Sequence, residues 1–178
     1  MKKYLLAILL LCVTVGISAQ EQEYLSAEND QELFFGLGFG LDYGGLGVKL
    51  EYLPTKHLGL FGGLGYNLLS FGYNVGASFK VLPDNKVTPT VSLLYGYNAV
   101  IKVEGASEYN MTSYGVTFGL GVDFFNAQGN KWSVNLFVPI RSKAFMDNYD
   151  DVRNSSYITL NQELLPIAFS VGYNFKIR

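Results

Sequence analysis

The chain holds one histidine, His57, and one cysteine, Cys12. Hydrolysis by a serine, histidine and acid trio needs the histidine within hydrogen-bond reach of a serine. No serine stands near His57 in the chain, and Pro54-Thr55-Lys56 just before it reads as a turn. His57 is therefore expected to be a turn residue. Asp147, Asp150 and Asp151 supply the oxygen donors that hard cations prefer, but their spacing is not that of an EF-hand loop and an acidic surface loop is the expected reading. Glycines between Phe35 and Gly47 imitate a GxGxxG spacing, yet no helix pattern follows, which excludes a nucleotide site on context. Asp42, Lys49, Glu51, Lys80 and Asp123 remain, and all fall on the polar phase of segments that otherwise alternate with apolar residues. Charges gathered in an interior need partners. Such a set could be an ion or proton path, or a salt-bridged plug, and the plug is the expected role. No residue is assigned to catalysis, a cofactor or a metal.

These charges are positioned by period-two alternation, the signature of a β-strand with two unlike faces. It is clearest in the last stretch, Leu164 to Arg178. Leu165, Ile167, Phe169, Val171, Tyr173, Phe175 and Ile177 fall on one face, and Pro166, Ala168, Ser170, Gly172, Asn174 and Lys176 on the other. The same rhythm predicts strands near 34–43, 46–53, 57–67, 70–82, 88–101, 112–125 and 131–140, with Phe137 out of pattern and no helix. Gly44-Gly45 is expected to form a two-residue hairpin. Pairing Tyr43 with Leu46 across it sets Gly40 opposite Lys49 and Gly38 opposite Glu51, with Asp42 diagonal to Lys49 and within reach. Connections after the second, fourth and sixth strands are short. Those after the fifth and seventh, about 104–111 and 141–163, are long and polar. Eight antiparallel strands with this loop rhythm predict an all-β, closed up-and-down barrel.

Ahead of the strands, Lys2 and Lys3, the apolar run Tyr4 to Val15 and the short Ile17-Ser18-Ala19 segment predict a secretory signal over 1–19. Cys12 follows Leu11, not the small residue a lipoprotein signal requires. Residues 20–33 are expected to be a flexible polar lead, and 34–178 the barrel. Cleavage after Ala19 would leave eleven basic against fifteen acidic residues, a net charge of −4 without cysteine. That balance argues against nucleic acid and leaves no disulfide chemistry.

Alternation does not say which face is outside, and a soluble barrel with a greasy interior has the same period. Three features favour apolar side chains outside. Charged residues are 16% of the chain, against about 25% in soluble domains, so the polar phase is too poor in charge to clothe a soluble surface. The apolar side chains are too bulky for the narrow interior of eight strands. The aromatics also fall into two belts: Tyr43, Tyr66, Phe71, Tyr73, Tyr97 and Tyr114 at one end, and Phe35, Tyr52, Phe79, Phe124, Trp132, Tyr173 and Phe175 at the other. Amphipathic rings of this kind sit at the two interfaces of a bilayer.

Over about Phe34 to Arg178 the chain resembles the small eight-stranded outer-membrane β-barrel proteins of Gram-negative bacteria, the OmpA-like and OmpX-like family. The resemblance rests on alternation, loop rhythm and the aromatic closing strand. It departs at Lys176-Ile177-Arg178, which follow Phe175 where many relatives end. It implies a multi-pass barrel in the outer membrane, whose partners are outer-membrane lipids and the barrel-insertion machinery that reads the last strand. The expected role is structural or surface-interactive, through an extracellular ligand or protein at 104–111 and 141–163. The alternatives are a narrow passive channel for small solutes and, behind it, a lipid-modifying enzyme.

Overall fold

The computed structural model describes residues 31–67, 69–101, 110–154 and 164–178. The expected signal and most of the expected lead lie outside the described residues. Eight strands close into an antiparallel barrel in sequential order: β1 Glu32–Gly40, β2 Gly45–Leu53, β3 Leu58–Tyr66, β4 Phe71–Lys80, β5 Val87–Ile101, β6 Met111–Phe125, β7 Lys131–Pro139 and β8 Ala168–Lys176. Most bounds fall within a residue or two of those read from alternation. The first strand starts earlier, at Glu32, and the last is shorter, leaving Leu164 to Ile167 outside it. The β1–β8 seam runs from Phe34 opposite Lys176 to Gly40 opposite Ser170. Lys176 does not fray there: its ammonium pairs with Glu32, and Leu33 and Arg178 exchange backbone hydrogen bonds.

Polar and small residues face the lumen and large apolar ones face out, as β7 illustrates. Lys131, Ser133, Asn135 and Phe137 are buried in the lumen, while Trp132, Val134, Leu136 and Val138 are exposed. Phe137 therefore keeps the alternation and is simply an apolar residue on the inner face.

The structure corrects four further expectations. β1 ends at Gly40, whose φ of 115° turns the chain inward, so no two-residue hairpin forms. Leu41–Tyr43 make a 3-10 turn, and Gly44 and Gly45, at φ 70° and 111°, return the chain to β2. Glycine is the residue for three positive-φ positions so close together. The pairing consequently slips by four residues, with Gly36 opposite Lys49 and Phe34 opposite Glu51. Leu41 and Tyr43 lie buried in the lumen, and Tyr43 is not part of an outer aromatic belt.

The third correction is at the top of β5. An extra residue at Asn98 shifts the register between Tyr97 and Ala99. A bulge reverses which side chains face in, so Ala99, which alternation groups with the outward Val91, Leu93, Tyr95 and Tyr97, is buried together with Ile101. The fourth is a helix, α1, over Lys143–Asn154 inside the expected 141–163 loop. Ser142 caps it, its Oγ accepting from the Phe145 N–H at 3.2 Å. Phe145, Tyr149 and Val152 form its buried stripe and pack with Ala99 and Ile101 of β5 and with Met111 of β6, the two fifteen-residue strands that outreach their neighbours. Residues 104–109 and 155–163 of the two expected loops lie outside the described residues.

Candidate functional site in the lumen

The end of the barrel holding Glu32 and Lys176 is called here the terminal end, and the opposite one the far end. Near the terminal end, four strands aim a charged side chain at the barrel axis: Glu51 from β2, Lys80 from β4, Asp123 from β6 and Lys131 from β7. They close an alternating ring. Lys131 Nζ lies 2.6 Å from Glu51 Oε2 and 2.7 Å from Asp123 Oδ2. Lys80 Nζ lies 2.7 Å from Asp123 Oδ2 and 3.3 Å from Glu51 Oε1. Ser78 donates to Glu51 at 3.0 Å and Ser133 to Asp123 at 2.5 Å. Below the ring, Lys131 Nζ stands 4.8 Å from the centroid of Phe34 and 5.6 Å from that of Phe125, within cation–π range.

Three of the five expected interior charges, Glu51, Lys80 and Asp123, thus find partners in the ring. Lys131 was not among them, although it shares its phase with Ser133 and Asn135. The other two, Asp42 and Lys49, pair with each other at 2.6 Å. The expected pair forms, but through the inward turn and not through a diagonal across a hairpin. Three lysines and three carboxylates balance the lumen, and all six are at most 5% exposed. Each meets an opposite charge, the condition under which buried ions are tolerated.

Between the ring and the Asp42–Lys49 pair lies a cavity of about 20 Å³, lined by both groups and by Ser92 and Asn135. That is room for about one water molecule. Leu41, Phe61, Leu94 and Phe137 form an apolar layer in the lumen. Glycines make room for two of these rings in so narrow a barrel. A Cβ on Gly76 would strike the ring of Phe61 at 2.7 Å, and one on Gly119 that of Phe137 at 2.5 Å.

Toward the far end, the inward turn occupies the remaining space. The Tyr43 hydroxyl donates to Asn174 Oδ1 at 3.2 Å, and Asn74 Nδ2 donates to the Leu41 carbonyl at 2.6 Å. Lys49 Nζ sits 4.5 Å from the centroid of Tyr43 and 5.6 Å from that of Phe61. At the far end itself, Arg141 donates to the Leu165 carbonyl at 2.7 Å, and partial burial pulls its guanidinium below the ordinary value, against Tyr149.

The other candidates stay apart from this interior. His57 Nδ1 lies 2.9 Å from the Lys80 carbonyl and its ring stacks on Phe79 at 5.6 Å, so contacts with the wall occupy it. Asp147, Asp150 and Asp151 are exposed on α1. Among the described residues no three histidine, cysteine, aspartate or glutamate side chains are grouped so as to hold a metal ion. The charges and hydrogen bonds of the lumen lock the wall together across its axis. Compared with known proteins, the chain matches no family model and no curated protein.

Proposed function

We propose that the chain is an integral barrel of a Gram-negative outer membrane, delivered by a secretory signal over residues 1–19 and closed along its axis. One observation carries this reading: the outward-facing positions of all eight strands hold no charged residue. They are chiefly Leu, Val, Phe and Tyr, with Leu46 74%, Phe71 75% and Leu120 66% exposed. A soluble monomer seldom exposes contiguous apolar surface on this scale. Six charges are meanwhile enclosed. In water this distribution is inside out, and in a bilayer it is what the solvent demands. A nine-residue strand is about 30 Å long. Tilted by roughly 40°, it spans about 23 Å, close to the apolar band of about 25 Å on outer-membrane barrels.

Within the membrane the barrel would serve as a structural element with a surface-interaction role. The far end carries the two longer connections, 104–111 and 141–163, and α1 turns Asp147, Asn148, Asp150 and Asp151 outward. A partner would therefore meet a hydrophilic surface. The packed lumen supports a closed barrel over a standing passive channel. The occupied ring of His57 supports the non-enzymatic reading over lipid modification.

Fractionation with gel migration tests the proposal. The processed protein is expected in the carbonate-resistant outer-membrane fraction, migrating differently before and after boiling. Recovery as a folded, β-rich, detergent-free monomer in water would overturn it.

A further inference from the structure

The lumen is closed at the far end by a connection and not by the wall. Leu41, Asp42 and Tyr43 belong to neither flanking strand, yet all three are buried inside the barrel. The wall around them is cut back to receive them. A Cβ on Gly38 would lie 2.8 Å from the Tyr43 ring, and one on Gly36 3.3 Å from it. A Cβ on Gly172 would collide with the Tyr43 hydroxyl, and one on Gly63 with the Asp42 carbonyl. Glycines of β1, β3 and β8 thus form a cradle shaped to one segment. That segment is flanked by Gly40 on one side and Gly44 and Gly45 on the other, all at positive φ. Side-chain latches hold it there: the Asp42–Lys49 pair, the Lys49 ammonium over the Tyr43 ring, the Tyr43–Asn174 and Asn74–Leu41 hydrogen bonds, and the packing of Leu41 with Phe61, Leu94 and Phe137.

We propose that Gly40–Gly45 is a hinged plug, and that its displacement opens the far half of the barrel to solvent down to the ring of Glu51, Lys80, Asp123 and Lys131. The strand ladder does not depend on the plug. Only its two ends take part in it: Gly40 pairs with Gly45 and with Ser170, and Leu41–Gly44 enter none of the strand registers. Withdrawing the plug removes Leu41 from the apolar layer and Asp42 from the cavity lining. It also leaves Lys49 without a carboxylate, so the opened vestibule carries an excess positive charge and favours small anions over cations. The inference rests on the closed barrel alone and holds whatever solvent surrounds it.

The test is thiol accessibility at the cavity. Asn135→Cys places a reporter on its lining, read with a small water-soluble thiosulfonate on the purified, folded protein without its leader. In one variant Leu41–Gly44 is replaced by Asn-Gly, which closes a two-residue hairpin between the paired Gly40 and Gly45. A second variant, Lys49→Met, keeps the connection but leaves Asp42 buried without its partner. Labelling is expected to be slow with the plug intact and about 100-fold faster in both variants, with circular dichroism and gel migration still those of a folded barrel. In the intact protein the residual labelling should depend on urea far more weakly than global unfolding does, as local opening requires. Unchanged labelling in a folded variant would overturn the proposal. So would a urea dependence in the intact protein equal to that of global unfolding, and that measurement decides the matter should a variant fail to fold. A failure of the membrane reading shows separately, as solubility without detergent.

Discussion

At the terminal end the lumen is filled by side chains that the wall itself projects, Glu51, Lys80, Asp123 and Lys131, whereas at the far end it is filled by Leu41, Asp42 and Tyr43, which belong to a connection. The first arrangement ties β2, β4, β6 and β7 across the axis, so no member can leave without moving a strand. The second fastens one short segment, flanked by glycines, into a cradle. Both halves are closed and both bury an ion pair, but only the first is part of the barrel's framework. A charge removed from the ring leaves its partners stranded, while the partner of a charge removed from the plug can be relieved by letting the segment move.

The largest effect is therefore expected at Lys131. Lys131→Met leaves two buried carboxylates facing Lys80 alone, and breaking a buried pair in this way costs about 3–5 kcal/mol. Reversible urea titration of the refolded barrel measures it. A loss under 1 kcal/mol would mean that the ring is hydrated and does not act as a framework. The comparison sharpens in the double variant Glu51→Gln with Lys131→Met, where Asp123 and Lys80 remain as a balanced pair. Its cost should fall short of the sum of the single losses by roughly 1–3 kcal/mol, the coupling of residues in one network. Strict additivity would show that Glu51 and Lys131 do not share one.

Asp42→Asn is the matching cut at the far end. It strands Lys49, which still has the faces of Tyr43 and Phe61, and the segment can yield to admit water. The expected cost is about 1–2 kcal/mol, smaller than at Lys131 because the penalty for an unpaired buried group falls when the group can be rehydrated. A loss equal to that of Lys131→Met in the same titration would erase the distinction between framework and plug.

The same contrast explains what alternation could and could not convey. It placed the strands and the polar inner face, because period two over nine residues with bulky apolar partners has few other readings. It could not end β1 at Gly40, since Leu41, Asp42 and Tyr43 continue the alternation while the backbone leaves the sheet. Backbone φ at glycine is invisible in a hydrophobic pattern. It also could not place Ala99, because one extra residue at Asn98 exchanges the faces of everything after it. Lys131, the first residue of the strand expected over 131–140, was legible through its phase with Ser133 and Asn135 but was not counted among the interior charges. The ring was thus largely foreseeable and the plug was not: the first is built from strand residues, which alternation sorts, and the second from a departure from the strand.

Helix α1 was legible in principle as well. Ser142 is a suitable cap, and Phe145, Tyr149 and Val152 recur at spacings of four and three, but three aspartates and a polar setting concealed them. Its packing defines the smallest predicted effect. Phe145 belongs to the cluster with Ala99 and Ile101 on the protruding part of β5, separate from the apolar layer that holds Leu41. Phe145→Ala should thus loosen α1 without weakening the barrel: the urea midpoint should move by the equivalent of less than about 0.5 kcal/mol, while proteolysis between Lys143 and Arg153 accelerates about tenfold. Large→small substitutions in a shared core cost about 3–5 kcal/mol for phenylalanine, so the two outcomes are well separated. A loss of that size would mean that α1 and the barrel unfold as one unit. Selective cleavage with an unchanged midpoint would instead make α1 a locally unfolding element, able to rearrange against a partner while the wall beneath it stays fixed.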